Sequence, residues 1–126
     1  MARILIVEDN PANLYLLNYL LTAHGHTTQS AKDGVEGLEH VRSMRPDLVL
    51  CDLQMPRLDG YQVLNAIRSD PLLAGVAVVA VTAYSMPGDR IRVTQAGFDG
   101  YLTKPFDPEI VIAQIEGYLA AARTAR

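Results

Sequence analysis

A single cysteine, Cys51, gives the chain no internal disulfide, which fits a reducing compartment. Because it ends the solid apolar run Leu48-Val49-Leu50-Cys51, it reads as a core thiol and not a redox group. No apolar run approaches the roughly 20 residues that span a bilayer, so no membrane helix is expected. Only Met1 to Arg3 precede the first apolar run, so neither a signal peptide nor a transit segment is expected, and the cytoplasm is the expected compartment. Formal net charge is −3, and no basic stripe marks a nucleic-acid surface. Linkers and repeats are missing as well. There is no G-x-S-x-G elbow, no base beside Cys51, and Gly34 and Gly37 make no phosphate-cradling loop.

What remains is 126 residues, 49% of them apolar, enough for one domain with a sizeable core spanning 1–126. Apolar runs alternate with segments of helical period. Leu14, Leu17 and Leu21 share one face of the first such segment; Val35, Leu38 and Val41 do so in the second, and Val63, Leu64 and Ile67 in the third. The segment from about Met86 to Ala96 is the weakest helix, with Ile91 and Val93 among many polar residues. The last segment sets Val111, Ile115, Tyr118, Leu119 and Ala122 at helical spacing, and the tail arginines Arg123 and Arg126 read as its frayed end.

Punctuation agrees with this division. Asn10-Pro11 and Asp107-Pro108 read as N-caps followed by proline, and Asp59 with Gln62 as a capping box. His24-Gly25, Arg45-Pro46 and Asp70-Pro71 read as helix ends.

Strand followed by helix, five times over, predicts an α/β domain with a parallel sheet. The first, third and fourth runs are apolar throughout, as central strands are. Thr27-Thr28-Gln29-Ser30-Ala31 is polar and Gly100-Tyr101-Leu102-Thr103 short and mixed, so these two are the expected edges. Right-handed crossovers then give the order 2-1-3-4-5, a flavodoxin-like (βα)5 three-layer sandwich. Such sheets bind ligands at the carboxyl ends of the strands, beside the reversal between strands 1 and 3.

That rim is where the unusual residues fall. Glu8-Asp9 follow Ile4-Leu5-Ile6-Val7, Asp52 ends the third run, Thr82 the fourth, and Lys104-Pro105 follow the fifth. Singly, each has a plain explanation: Asp9-Asn10-Pro11 caps a helix, Thr82 is strand chemistry, Lys104 is a solvated lysine. All of them at strand carboxyl ends is another matter. Glu8, Asp9 and Asp52, with a backbone carbonyl such as that of Gln54, offer hard oxygens to Mg²⁺ or Mn²⁺. Asp52 is the natural nucleophile toward phosphorus, with Lys104 and Thr82 donating to oxygens of the transferred group. The acids should bind metal more tightly as they ionise. His24 and His26 straddle a glycine turn without a third ligand, so a helix-end role is expected for them, and a solvated one for His40.

The stretches Ile4–Asn10, Pro46–Asp52, Met55-Pro56 with Asp59-Gly60, Val81-Thr82-Ala83 and Lys104-Pro105-Phe106 together resemble the receiver domain of response regulators, across essentially the whole chain. The resemblance implies Asp52 as phosphoacceptor and Glu8 and Asp9 as the acidic pair for Mg²⁺. It also implies Thr82 as a switch hydroxyl, Tyr101 as a switch aromatic, and Lys104 ahead of a cis peptide to Pro105. Glu8 departs from the aspartate common in the family and keeps the carboxylate.

These features lead to a stand-alone response regulator that takes phosphoryl from a histidine kinase or phosphotransfer protein. It would be no enzyme beyond autophosphorylation from small donors and slow autodephosphorylation. An aspartyl-phosphate phosphatase would need an acid two residues after the nucleophile, where Gln54 stands. A flavin protein of this topology would have its cofactor phosphate repelled by the acidic rim. Gln54 and Tyr84 are expected to flank the approach of water and lengthen the life of the acyl phosphate. Output is expected as protein binding at the surface of helix 4, strand 5 and helix 5, through exposed Ile91, Val93 or Tyr101. Kinases are expected near helix 1 at Asn13, Leu14 and Leu17, and the chain is expected to be a monomer or weak dimer.

Overall fold

A computed structural model describes residues 2–55, 58–83 and 87–125. The chain runs β1 (Arg3–Val7), α1 (Pro11–Ala23), β2 (Thr27–Ala31), α2 (Gly34–Met44), β3 (Leu48–Asp52), α3 (Gly60–Ser69), β4 (Ala77–Thr82), α4 (Pro87–Ala96), β5 (Gly100–Thr103) and α5 (Pro108–Ala125). All neighbouring strands pair in parallel, in the order β2-β1-β3-β4-β5. This is the flavodoxin-like α/β fold, with the polar strand and the short one at the two edges.

Alternation along the central strands feeds two cores. Leu5, Val7, Val49, Cys51, Val78 and Ala80 point to the side covered by α2, α3 and α4. Ile4, Ile6, Leu48, Leu50, Val79 and Val81 point to the side covered by α1 and α5. Each face is a layer of aliphatic side chains removed from water, worth about 1.5–3 kcal/mol for every large one. Burial also pushes the Cys51 thiol well up from its ordinary value, as a core thiol requires.

The expected caps form. Asn10 accepts from the backbone N–H groups of Ala12 and Asn13 ahead of Pro11, and Asp59 and Gln62 close a reciprocal capping box. Arg45 ends α2 in the left-handed region at φ 46°, and Gly25 follows the His24 cap at φ 87°. Asp33, a cap not among those expected although Glu36 stands three residues on, accepts from Glu36 N–H at 2.9 Å.

Three expectations need correction. Val35 does not join the inner face of α2; it is exposed, and Gly34 and Gly37 lie inward with Leu38 and Val41. A Cβ on Gly37 would sit 3.0 Å from Val7 Cγ2, so small size here sets the approach of α2 to β1. Val93 and Leu17, expected as surface anchors, are each buried, because one faces α3 and the other the sheet. The weak helix begins at Pro87, and Met86 lies outside the described residues, as do Tyr84 and Arg126.

The amino-terminal ends of the strands are tied by two side chains that periodicity does not reveal. Arg68 donates through Nη1 to the Ala74 and Val76 carbonyls at 3.0 and 2.6 Å, and through Nη2 to Gly97 O at 3.2 Å and Asp99 Oδ2 at 2.8 Å. His26 accepts the Ala2 N–H on Nδ1 at 3.2 Å and meets Glu116 through Nε2 at 3.2 Å. His26 thus joins β2 to α5, whereas His24 lies against Leu20 O at the end of α1. His40 pairs loosely with Glu36 at 3.8 Å on α2.

Candidate functional site

The site lies where the strands end. Glu8 leaves β1 with its N–H donating to Ala31 O, and Asp52 is the last residue of β3. Lys104 leaves β5 with its N–H on Thr82 O at 2.8 Å, and the Lys104-Pro105 peptide is cis. Buried strands leading to a polar loop explain why these side chains are held so firmly. Glu8 is 2%, Asp52 4% and Thr82 1% exposed, while Asp9 stands in solvent.

One cation serves two acids. Lys104 Nζ is 2.8 Å from Asp52 Oδ2, 3.2 Å from Glu8 Oε2 and 2.9 Å from Glu8 Oε1. The other Asp52 oxygen accepts from Gln54 N–H at 3.0 Å, and Glu8 Oε2 accepts from Asn10 N–H at 3.1 Å. Glu8 Oε1 is buried without a hydrogen bond; only the ammonium beside it compensates.

Burial and the neighbouring Asp52 carboxylate push the Glu8 carboxyl up to about 7, against the pull of Lys104 and the Asn10 N–H. Burial works against the Lys104 ammonium, yet its hydrogen bonds to Asp52 and Glu8 hold it above its ordinary value. The pocket therefore keeps its acids close by sharing one ammonium.

Carboxylate oxygens of Glu8, Asp9 and Asp52 all lie within 4.8 Å of one another. Hard oxygen donors so clustered, one of them without a hydrogen bond, fit a divalent cation of the hard class. Among the predicted residues the structure brings together Glu8, Asp9, Asp52 and Lys104, with the Gln54 backbone against Asp52. Thr82 ends the strand beside β3, where its Cα partner is Thr103, and Tyr101 lies on β5 alongside Ala80. The side chain of Gln54 is exposed.

The model of the response regulator receiver domain matches residues 4–116. The chain belongs to that family. Among its relatives, the polar-differentiation response regulator DivK of Brucella anthropi is 39% identical over 119 residues, covering 94% of this chain and 97% of that protein. Two solved receiver structures are close in shape. A response regulator of Chloroflexus aurantiacus J-10-fl superposes with TM-score 0.88 at 29% identity, covering 94% of this chain and 98% of the other. The receiver domain of the sensor histidine kinase PA1611 from Pseudomonas aeruginosa PAO1, with magnesium coordinated in its active-site cleft, gives 0.85 at 32% identity, covering 94% and 98%. As a receiver, the chain is a component of two-component signalling, similar to DivK. Among the described residues, no helix is long and apolar enough to cross a membrane.

Proposed function

We propose that Asp52 accepts a phosphoryl group from a histidine kinase or histidine phosphotransfer protein, and that the chain signals through phosphorylation-dependent protein contacts. The observation that carries this is the meeting of Asp52, Glu8 and Asp9 with the Lys104 ammonium at the strand ends. An Asp52 oxygen attacks phosphorus in line with the donor nitrogen; the new O–P bond forms as the N–P bond breaks, giving an acyl phosphate. Glu8, Asp9, Asp52 and the Gln54 carbonyl would hold Mg²⁺ or Mn²⁺, which when bound supplies charge neutralisation for the transferred oxygens. Lys104 then exchanges its Asp52 contact for a phosphoryl oxygen, and Thr82 donates its hydroxyl to another.

Conformation follows chemistry. Drawing Thr82 and Lys104 toward the phosphoryl group leaves room for the Tyr101 ring to move inward, which biases the surface made by α4, β5 and α5. Ile91, 57% exposed on α4, is the apolar anchor this surface offers. Kinase docking is assigned to α1. That helix, PANLYLLNYLLTA, has no charged residue, and its outer face carries the stacked rings of Tyr15 and Tyr19 with centroids 6.5 Å apart. Those tyrosines, with Asn13 and half-buried Leu14, replace the buried Leu17 as the contact residues.

The chain is proposed to act in the cytoplasm through its receiver domain, as a monomer or weak dimer, and without DNA contact. The match to DivK over 97% of that protein's length supports a DivK-like signalling role. Pull-downs with and without Mg²⁺ and beryllofluoride test the proposal. Partners should be recovered differently in the two states; identical recovery, or phosphorylation-dependent duplex binding, would overturn it.

A further inference from the structure

Helix α4 is held to the domain by little apolar burial. Of its described side chains only Val93 is buried, and Arg90, Ile91 and Arg92 are exposed. Two arginines compensate by reaching in different directions. Arg92 lies over the ring of Tyr61 on α3, 5.4 Å from its centroid, and Arg90 over the ring of Tyr101 on β5, at 5.7 Å. Both distances are within the range where the ring quadrupole attracts a cation.

Tyr101 is held separately through its backbone. The Tyr118 hydroxyl of α5 accepts the Tyr101 N–H and donates to the Tyr101 carbonyl, each at 3.2 Å. Gly100 makes this possible, since a Cβ there would lie 2.5 Å from the Tyr118 ring. With the backbone fixed from α5, a change at Tyr101 is a change of its ring, and Arg90 of α4 lies over that ring.

We propose that Arg90 is a positioning residue that latches the Tyr101 ring, and α4 with it, in the unphosphorylated arrangement, with Tyr118 as the fixed pivot. This rests on the reading of Thr82 and Tyr101 as the moving pair. A ring that turns inward leaves the guanidinium, so the contact stabilises one state only. By population shift it lowers the apparent affinity for a phosphoryl group at Asp52. An exposed contact of this kind shifts that equilibrium about two- to five-fold.

The test is a titration of the full chain with beryllofluoride at saturating Mg²⁺, followed by amide NMR shifts. Arg90→Ala should bind beryllofluoride about two- to five-fold more tightly than wild type. Its affinity for Mg²⁺ alone should be unchanged. In a Tyr101→Leu background, which keeps bulk without the π face, removing Arg90 should have no effect. Equal or weaker binding by Arg90→Ala, a changed Mg²⁺ affinity, or the same gain in the Tyr101→Leu background would each overturn the latch. Failure of the wild type to bind beryllofluoride would overturn the phosphoacceptor proposal, and the latch with it.

Discussion

Lys104 Nζ and Asp52 Oδ2 lie 2.8 Å apart, joining the end of β5 to the end of β3 across β4. The ammonium occupies the electrostatic role that a metal ion would share. Lys104→Ala is therefore expected to tighten Mg²⁺ binding at pH 8 by about ten-fold, because a like charge nearby costs about 1 kcal/mol even when largely screened by water. Phosphoryl uptake should slow in the same variant. Isothermal titration and timed labelling check both; unchanged Mg²⁺ affinity would contradict the assignment.

Glu8 makes metal binding pH-dependent in the neutral range. With its carboxyl at about 7, Mg²⁺ affinity should rise between pH 6 and 8 and level off above. Stability without metal runs the other way. The folded carboxyl titrates above its ordinary 4.5, so between 4.5 and about 7 the folded chain binds more protons than the unfolded one. The stability this contributes is fully present below 4.5 and is lost as pH rises through about 7. Glu8→Gln should flatten both profiles, as urea unfolding and Mg²⁺ titration across pH will show.

Thr82 is buried at the end of β4, and its hydroxyl is assigned to the switch. Thr82→Ala should still take up one phosphoryl group but lose much of the phosphorylation-dependent partner contact. Normal partner recovery by the labelled variant would sink the coupling.

Packing behind the site is as specific as the site. Gly37→Ala places a methyl 3.0 Å from Val7 Cγ2, one residue before Glu8. Overpacking of this kind should cost about 1–3 kcal/mol in denaturant unfolding. No loss of stability would mean that α2 can move away from β1 freely.

How much of this was legible in the sequence depended on whether a signal was local. Edge and central strands could be told apart because Thr27–Ala31 is polar and Leu48–Cys51 is not. Glu8, Asp52, Thr82 and Lys104 stood out because each follows or ends an apolar run. Val35 misled because hydropathy ranks valine above glycine, while the space between α2 and β1 admits only a small residue. Val93 misled because a helix with one inward residue has too weak a stripe to show which face is inside. The Arg68–Asp99 and His26–Glu116 ties span 31 and 90 residues, and no local pattern brings such partners together. The arginines over Tyr61 and Tyr101 likewise exist only once α4 is packed.

The central claim, that Asp52 is the phosphoacceptor, is tested most directly by intact-mass measurement after incubation with acetyl phosphate and Mg²⁺. Wild type should gain the mass of one phosphoryl group, with no gain when excess chelator is present during the incubation, and Asp52→Asn should gain none. Full labelling of Asp52→Asn, or labelling of wild type without metal, would contradict the account.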